Sequence, residues 1–188
     1  MAIQTIIVPQ ISSMPGHEAR ARLIVNWLAK RSIIEALPTT CGLADARMAY
    51  AVAEGARQIV DVPHGMDVAS VLPLTQSVNG LELVTKRCIY TPLEGFAGEA
   101  GCPECRREVG EALFDSLEDW WPGHTDNFTC PLCGHEDDIN GFLYPQACGF
   151  SNLGFIFNNW DGSYFKPAFL EDFAERLGYP ISVVQVKL

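Results

Sequence analysis

The sequence predicts an α+β fold: a mixed sheet with helices packed on it, carrying an inserted four-cysteine module. Three observations lead there. Strand-like and helical patterns alternate at both ends of the chain. Two Cys-x-x-Cys pairs interrupt the pattern in between. With 188 residues, 48% of them hydrophobic, the chain is long enough to bury a core without help from disulfides. The segments expected are an N-terminal part of the α+β body over 1–97, the cysteine module over 98–141, and a C-terminal part of the body over 142–188.

The N-terminal part reads strand, helix, short strand. Ile3 to Val8 is β-rich. After the breakers Pro15 and Gly16 a helical pattern runs from about His17 to Arg31, with Ala21, Ile24, Trp27 and Leu28 on its apolar face. Ser32 to Glu35 is expected as a brief strand. The loop 37–42 follows, and Ala44 to Ala56 is expected as a helix on its alanine content, with Met48, Ala51 and Val52 inward. Asn79-Gly80, between 70–78 and 81–90, predicts a two-residue β-hairpin turn, since both residues tolerate positive φ.

In the C-terminal part an aromatic-rich run, 142–165, precedes a last helix. Within it 153–157 reads as a buried strand, and the aromatics are expected to pack the core rather than form a ligand cage. Pro167 opens a helix with Phe169, Leu170, Phe173 and Leu177 on one face. Gly178 ends it, and 181–186 alternates as a final strand.

Between these parts lie Cys102-Pro103-Glu104-Cys105 and Cys130-Pro131-Leu132-Cys133. Each turn offers two thiolates held together by local backbone, and two turns complete a tetrahedral four-sulfur shell. Between the pairs, 106–120 is expected as a helix, with Val109, Leu113, Leu117 and Trp120 on one face and Pro122-Gly123 as its end. A single CPxC ahead of a helix would also suit thiol–disulfide chemistry, because a helix N-terminus lowers a thiol pKa. The duplicated pair, with Gly134 after the second, fits a shared metal better. His124 and His135 sit nearby and are not needed to complete the shell.

The segment 101–141 resembles a zinc-ribbon module, Cys-Pro-x-Cys followed by Cys-Pro-x-Cys-Gly. The resemblance implies structural Zn²⁺ on Cys102, Cys105, Cys130 and Cys133. The ending 149–155, followed by Asn159-Trp160 and a terminal helix and strand, is similar to the tail of uncharacterised bacterial proteins that carry a zinc ribbon. That likeness implies no activity. Four thiolates leave no open position for a substrate or water, which argues against a hydrolytic metal.

Charge is concentrated in the module. From 98 to 140 two basic residues face eleven acidic ones, a balance of −9 within a chain total of −10. A zinc ion on four thiolates adds a formal −2. Such a module repels a phosphate backbone, so nucleic-acid binding is not expected, and a docking partner should be a basic protein. The expected role is a zinc-stabilised binding or adaptor protein presenting an acidic surface, one version being an immunity-type protein that covers a basic nuclease. A solvated face that maintains solubility is the plainer reading of the same carboxylates.

An enzyme with a pocket in the α+β body is the class alternative. No glycine-rich phosphate loop, HExxH or GxSxG motif supports it. Cys41 with His17 or His64 is the thiol–imidazole pair to examine, and His64 stands on a turn-like loop. Cys41, Cys88 and Cys148 are expected as core thiols, reduced in a cytoplasmic protein. The N-terminus has no signal-peptide pattern and no stretch is apolar for long enough to span a bilayer.

Overall fold

The computed structural model describes residues 2–43 and 48–188. It has the helices and antiparallel sheets of an α+β fold. Strand β1 (Ile3–Pro9) leads to helix α1 (His17–Lys30), then β2 (Leu81–Val84) and β3 (Cys88–Tyr90). Helix α2 (Leu113–Trp120) and the strands β4 (Asn127–Thr129) and β5 (Glu136–Asp138) follow. The chain closes with β6 (Gly149–Ser151), β7 (Gly154–Asn158), α3 (Pro167–Leu177) and β8 (Ile181–Lys187). No helix among the described residues is long and apolar enough to cross a membrane.

The main sheet has the order β2-β7-β1-β8, and every pairing in it is antiparallel, not mixed as the sequence suggested. The unit β7-α3-β8 does bring its two strands back in the same direction. However, β1 lies between them, antiparallel to both, so no parallel ladder forms. The strand alternation sorts the side chains. Ile7, Leu81, Phe155 and Phe157 face α1 and α3 in the principal core. Ile6, Val8, Val184 and Val186 face the other way, against Tyr90 of the small β3-β6 ribbon.

The aromatic run is core, as expected. Trp27 of α1 stacks on Phe169 of α3 with ring centroids 5.9 Å apart, and Phe155 meets Phe173 edge-on at 5.0 Å. Trp160 and Phe157 are fully buried. Phe142 and Phe150 instead join a second hydrophobic cluster with Leu113, Leu117, Trp120, Phe128 and Ile139, beneath the cysteine pairs.

Four expected elements differ. Asn79-Gly80 forms no hairpin. One short 3-10 turn, Val68–Ser70, and irregular backbone occupy 68–80, neither residue has positive φ, and β2 pairs with β7 instead. The carbonyls of Val78, Asn79 and Gly80 accept hydrogen bonds from the side chains of Asn159, Trp160 and Asn158 respectively, at 2.8–2.9 Å. Gly80 is required there for space: a Cβ would lie 2.5 Å from Cys41 Sγ and 2.6 Å from the Ala49 Cβ. The helix expected from Ala44 to Ala56 is absent where the chain is described, residues 44–47 lying outside the described residues. Ala49, Tyr50 and Val52 form isolated bridges with Thr39, Leu81 and Ile34, Ala49 rather than Met48 is buried, and a 3-10 turn spans Glu54–Ile59. The brief strand at 32–35 reduces to the Ile34 bridge. Finally, the helix expected over 106–120 begins only at Leu113, after a 3-10 turn at Gly110–Ala112.

Candidate metal centre

Each cysteine pair sits on a tight backbone knuckle, and the two are built alike. In the first, the amide of Arg106 donates to the carbonyl of Cys102 at 3.0 Å, and that of Cys102 to Arg107 at 3.1 Å. In the second, Gly134 donates to Cys130 at 2.9 Å, and Cys130 to His135 at 2.8 Å. The residue after each pair takes left-handed backbone, φ 62° at Arg106 and 78° at Gly134. The second knuckle is the tip of the β4-β5 hairpin. The first is closed by a bridge between Gly101 and Glu108, which explains the late start of α2: residues 106–109 return along the knuckle, and Val109 donates to Ala100 at 2.7 Å.

The two knuckles bring Cys102, Cys105, Cys130 and Cys133 together, with all four sulfurs within 4.8 Å of one another. Cys102 Sγ is 3.6 Å from Cys133 Sγ, and Cys105 Sγ is 3.8 Å from Cys130 Sγ. A tetrahedral shell with metal–sulfur bonds of about 2.3 Å has sulfur–sulfur edges of about 3.8 Å, whereas a disulfide needs about 2.05 Å. The close contacts cross between knuckles. Four soft donors at these separations are positioned to coordinate one metal ion. No histidine belongs to the group: His124 is exposed, and the His135 ring lies 6.0 Å from that of Phe142.

The sulfurs differ in their surroundings. Cys102 and Cys130 are buried, Cys105 is half-buried and Cys133 exposed. The backbone amide of Arg107, helped by its guanidinium, holds the Cys105 thiol down at about 6. At Cys130 desolvation opposes ionisation, but the amides of Cys133 and Leu132 outweigh it and the pKa falls. At Cys133 the His135 amide favours the thiolate, yet burial and the three neighbouring sulfurs push the thiol up to about 11. Like charges crowded this closely cannot all ionise without a cation among them.

The module is fastened to the body by contacts that no motif singles out. Arg87, between β2 and β3, donates from Nε to the Trp120 carbonyl at 2.9 Å. Its NH2 donates to the Thr125 carbonyl at 2.9 Å and to Asp126 Oδ1 at 2.7 Å, while its guanidinium lies 4.3 Å above the Trp120 ring. Trp120 Nε1 donates to Ser12 Oγ at 2.8 Å, and the Ser12 amide donates to Asp138 Oδ2 at 3.0 Å. An Arg in a β-rich run and a serine after a strand carry no motif; only the tertiary approach gives them partners.

The thiol–imidazole pairs considered from sequence are not formed. Cys41 is buried and donates to the Ala49 carbonyl at 3.2 Å, His17 Nε2 lies 2.8 Å from the Thr85 carbonyl, and His64 is exposed. Cys148 is buried in the second cluster, while Cys88 is half-buried against the opposite sheet face. Cys102 is followed by a knuckle rather than a helix, which removes the helix N-terminus on which the thiol–disulfide reading relied. Comparison with known protein families, with curated proteins and with solved structures finds no match to this chain.

Proposed function

We propose that this chain is a cytoplasmic binding or adaptor protein in which Zn²⁺, held by Cys102, Cys105, Cys130 and Cys133, fixes an acidic module over 98–141 for a basic protein partner. Four cysteine thiolates in a tetrahedral arrangement are the preferred set for structural zinc, and a closed shell keeps the ion out of chemistry. The ion would also offset the crowding of charge among the four sulfurs.

The distribution of the module's carboxylates carries the docking half of the reading. Of the eleven acidic residues between 98 and 140, Asp126 and Asp138 are half-buried and hold the body through Arg87 and Ser12. The other nine are exposed. Those two are part of the architecture, and the nine define a negative field on a module held in one orientation. Fixed charge of this kind speeds association with a cationic partner and repels nucleic acid. An immunity-type protein covering a basic nuclease is one specific form of this role.

The enzyme alternative draws no support from the cleft of about 530 Å³ lined by Gln10, Asn140, Cys148 and Ser182. Its Asn140 side chain is engaged with Asp138 and Phe150, and burial pushes its Cys148 thiol up to about 12, the reverse of what a nucleophile needs.

Native mass spectrometry of chain purified without added metal, from lysate captured at low salt, tests both halves. One zinc per chain and a cationic protein that dissociates as salt is raised, then rebinds as a purified component, is the expected result. A reduced chain that refuses zinc overturns the metal assignment. Zinc-loaded chain whose purified partners bind without salt dependence overturns the acidic docking surface.

A further inference from the structure

The acidic module also carries an exposed aromatic groove. Phe114 and Trp121 are 56% and 52% exposed, although both belong to the most water-averse side chains in the molecule. With Leu117 they form one wall of a groove of about 480 Å³, whose other wall is Ile89 and Phe96. Glu118 is the one charged residue lining it.

The charge beside the groove is ordered. Glu111, Asp115 and Glu118 recur at spacings of four and three, a single stripe along α2 and the turn before it, and all three are exposed. Phe114 and Trp121, seven residues apart, form the adjoining stripe. Apolar anchors thus run alongside a row of carboxylates for two helical turns, about 10 Å. Half-exposed aromatics in such a setting have the composition of an interface hot spot, and the flanking row selects the sign of what covers it.

We propose that the groove between α2 and residues 89–96 receives a cationic amphipathic helix of the protein partner, with apolar side chains against Phe114 and Trp121 and Lys or Arg along Glu111, Asp115 and Glu118. This rests on the acidic-surface reading above and gives it a location. A second copy of this chain would bring the same row of carboxylates against its own and be repelled, and a nucleic-acid backbone likewise. A helix with one apolar and one basic stripe satisfies both walls at once.

Trp27, Trp120 and Trp160 are buried, which makes Trp121 the exposed tryptophan and a reporter built into the groove. The probe is a 14-residue capped peptide of Leu, Lys and Ala, with Leu at helical i, i+3, i+4 and i+7 positions and Lys beside them. Its control has the same composition in an order that breaks the stripe. Binding to zinc-loaded full chain is followed by labelled-peptide anisotropy at low salt and by acrylamide quenching of Trp121.

The patterned peptide should bind about tenfold tighter than its control and shield Trp121 from quenching. Phe114→Ala should weaken it about tenfold, as should the combined change Glu111→Gln, Asp115→Asn, Glu118→Gln, which should also remove most of its salt dependence. Glu136→Gln with Asp137→Asn, in β5, should change affinity less than about twofold. Trp121→Ser, read by anisotropy alone, repeats the aromatic arm on a second side chain. Equal binding of both peptides, indifferent to Phe114→Ala, overturns the groove and leaves the acidic surface standing. Failure of both peptides to bind at low salt overturns the groove and the acidic surface together. A dimer in sedimentation that shields Trp121 assigns the groove to a second copy and overturns the proposal.

Discussion

Arg106 is the position at which a single side chain is most plainly out of place. It adopts φ 62° directly after the first cysteine pair, where the matching residue of the second knuckle is Gly134. Left-handed backbone costs a residue with a Cβ about 1–2 kcal/mol, part of which glycine gives back through its looser unfolded chain. Arg106→Gly should therefore stabilise the module by about 0.5–1 kcal/mol, and Gly134→Ala should destabilise it by about 1 kcal/mol, both measured by urea denaturation of metal-loaded chain. Cys148 predicts a pH dependence. Burial raises its thiol to about 12 from an ordinary value near 9, so between these values the unfolded chain has lost a proton that the folded chain keeps. Its contribution to stability is complete below about pH 9 and falls as pH rises to about 12. Tyr90 and Tyr144, also raised by burial, add loss of the same sign at higher pH. Urea midpoints across this range should decline, and Cys148→Ala should flatten the decline in its lower part.

At the scale of elements, α2 is held by what lies under it rather than by its own sequence. It is a short helix with no side-chain cap, and a helix this short is marginal alone. Trp120, at its C-terminal end, is fully buried, stacked beneath Arg87 and hydrogen-bonded to Ser12. Arg87→Ala leaves the Trp120 and Thr125 carbonyls and Asp126 without this donor, and should cost about 2–3 kcal/mol. Arg87→Lys should recover only part of that, because an ammonium cannot reproduce the planar fork. Thermal unfolding of the two variants, compared with Arg57→Ala as an exposed-arginine control, checks the difference. The helix was legible in the sequence through Val109, Leu113, Leu117 and Trp120, all of which are buried. Its start was not, because Val109 points into the same cluster from non-helical backbone, φ −133° and ψ 18°, ahead of the 3-10 turn. A period of four cannot distinguish that from one more helical turn.

For the whole molecule, the two main hydrophobic clusters lie in different places. One is sandwiched between the β2-β7-β1-β8 sheet and helices α1 and α3; the other lies under the cysteine knuckles. The first contains no sulfur of the proposed site. Removing metal with a strong chelator should accordingly raise amide exchange in β4, β5 and α2 by at least about a hundredfold, while β1, β7 and β8 keep most of their protection. Cys102→Ser should reproduce that pattern without chelator. Uniform loss of protection throughout would mean that the two clusters unfold as one unit.

The sequence by itself determined the local features: the strands β1 and β8, the limits of α1 and α3, the burial of the 142–165 aromatics and the pairing of two CPxC turns. Each follows from short-range periodicity, from Pro and Gly at helix ends, or from fixed ligand spacing. Only the tertiary structure decided that β1 lies between β7 and β8, that the carbonyls of Val78, Asn79 and Gly80 accept from Asn159, Trp160 and Asn158, and that Arg87 clamps the module. These depend on contacts between residues far apart in the chain. There, hydrogen-bond donors and acceptors are satisfied by whichever partner packing delivers, and local propensity gives way.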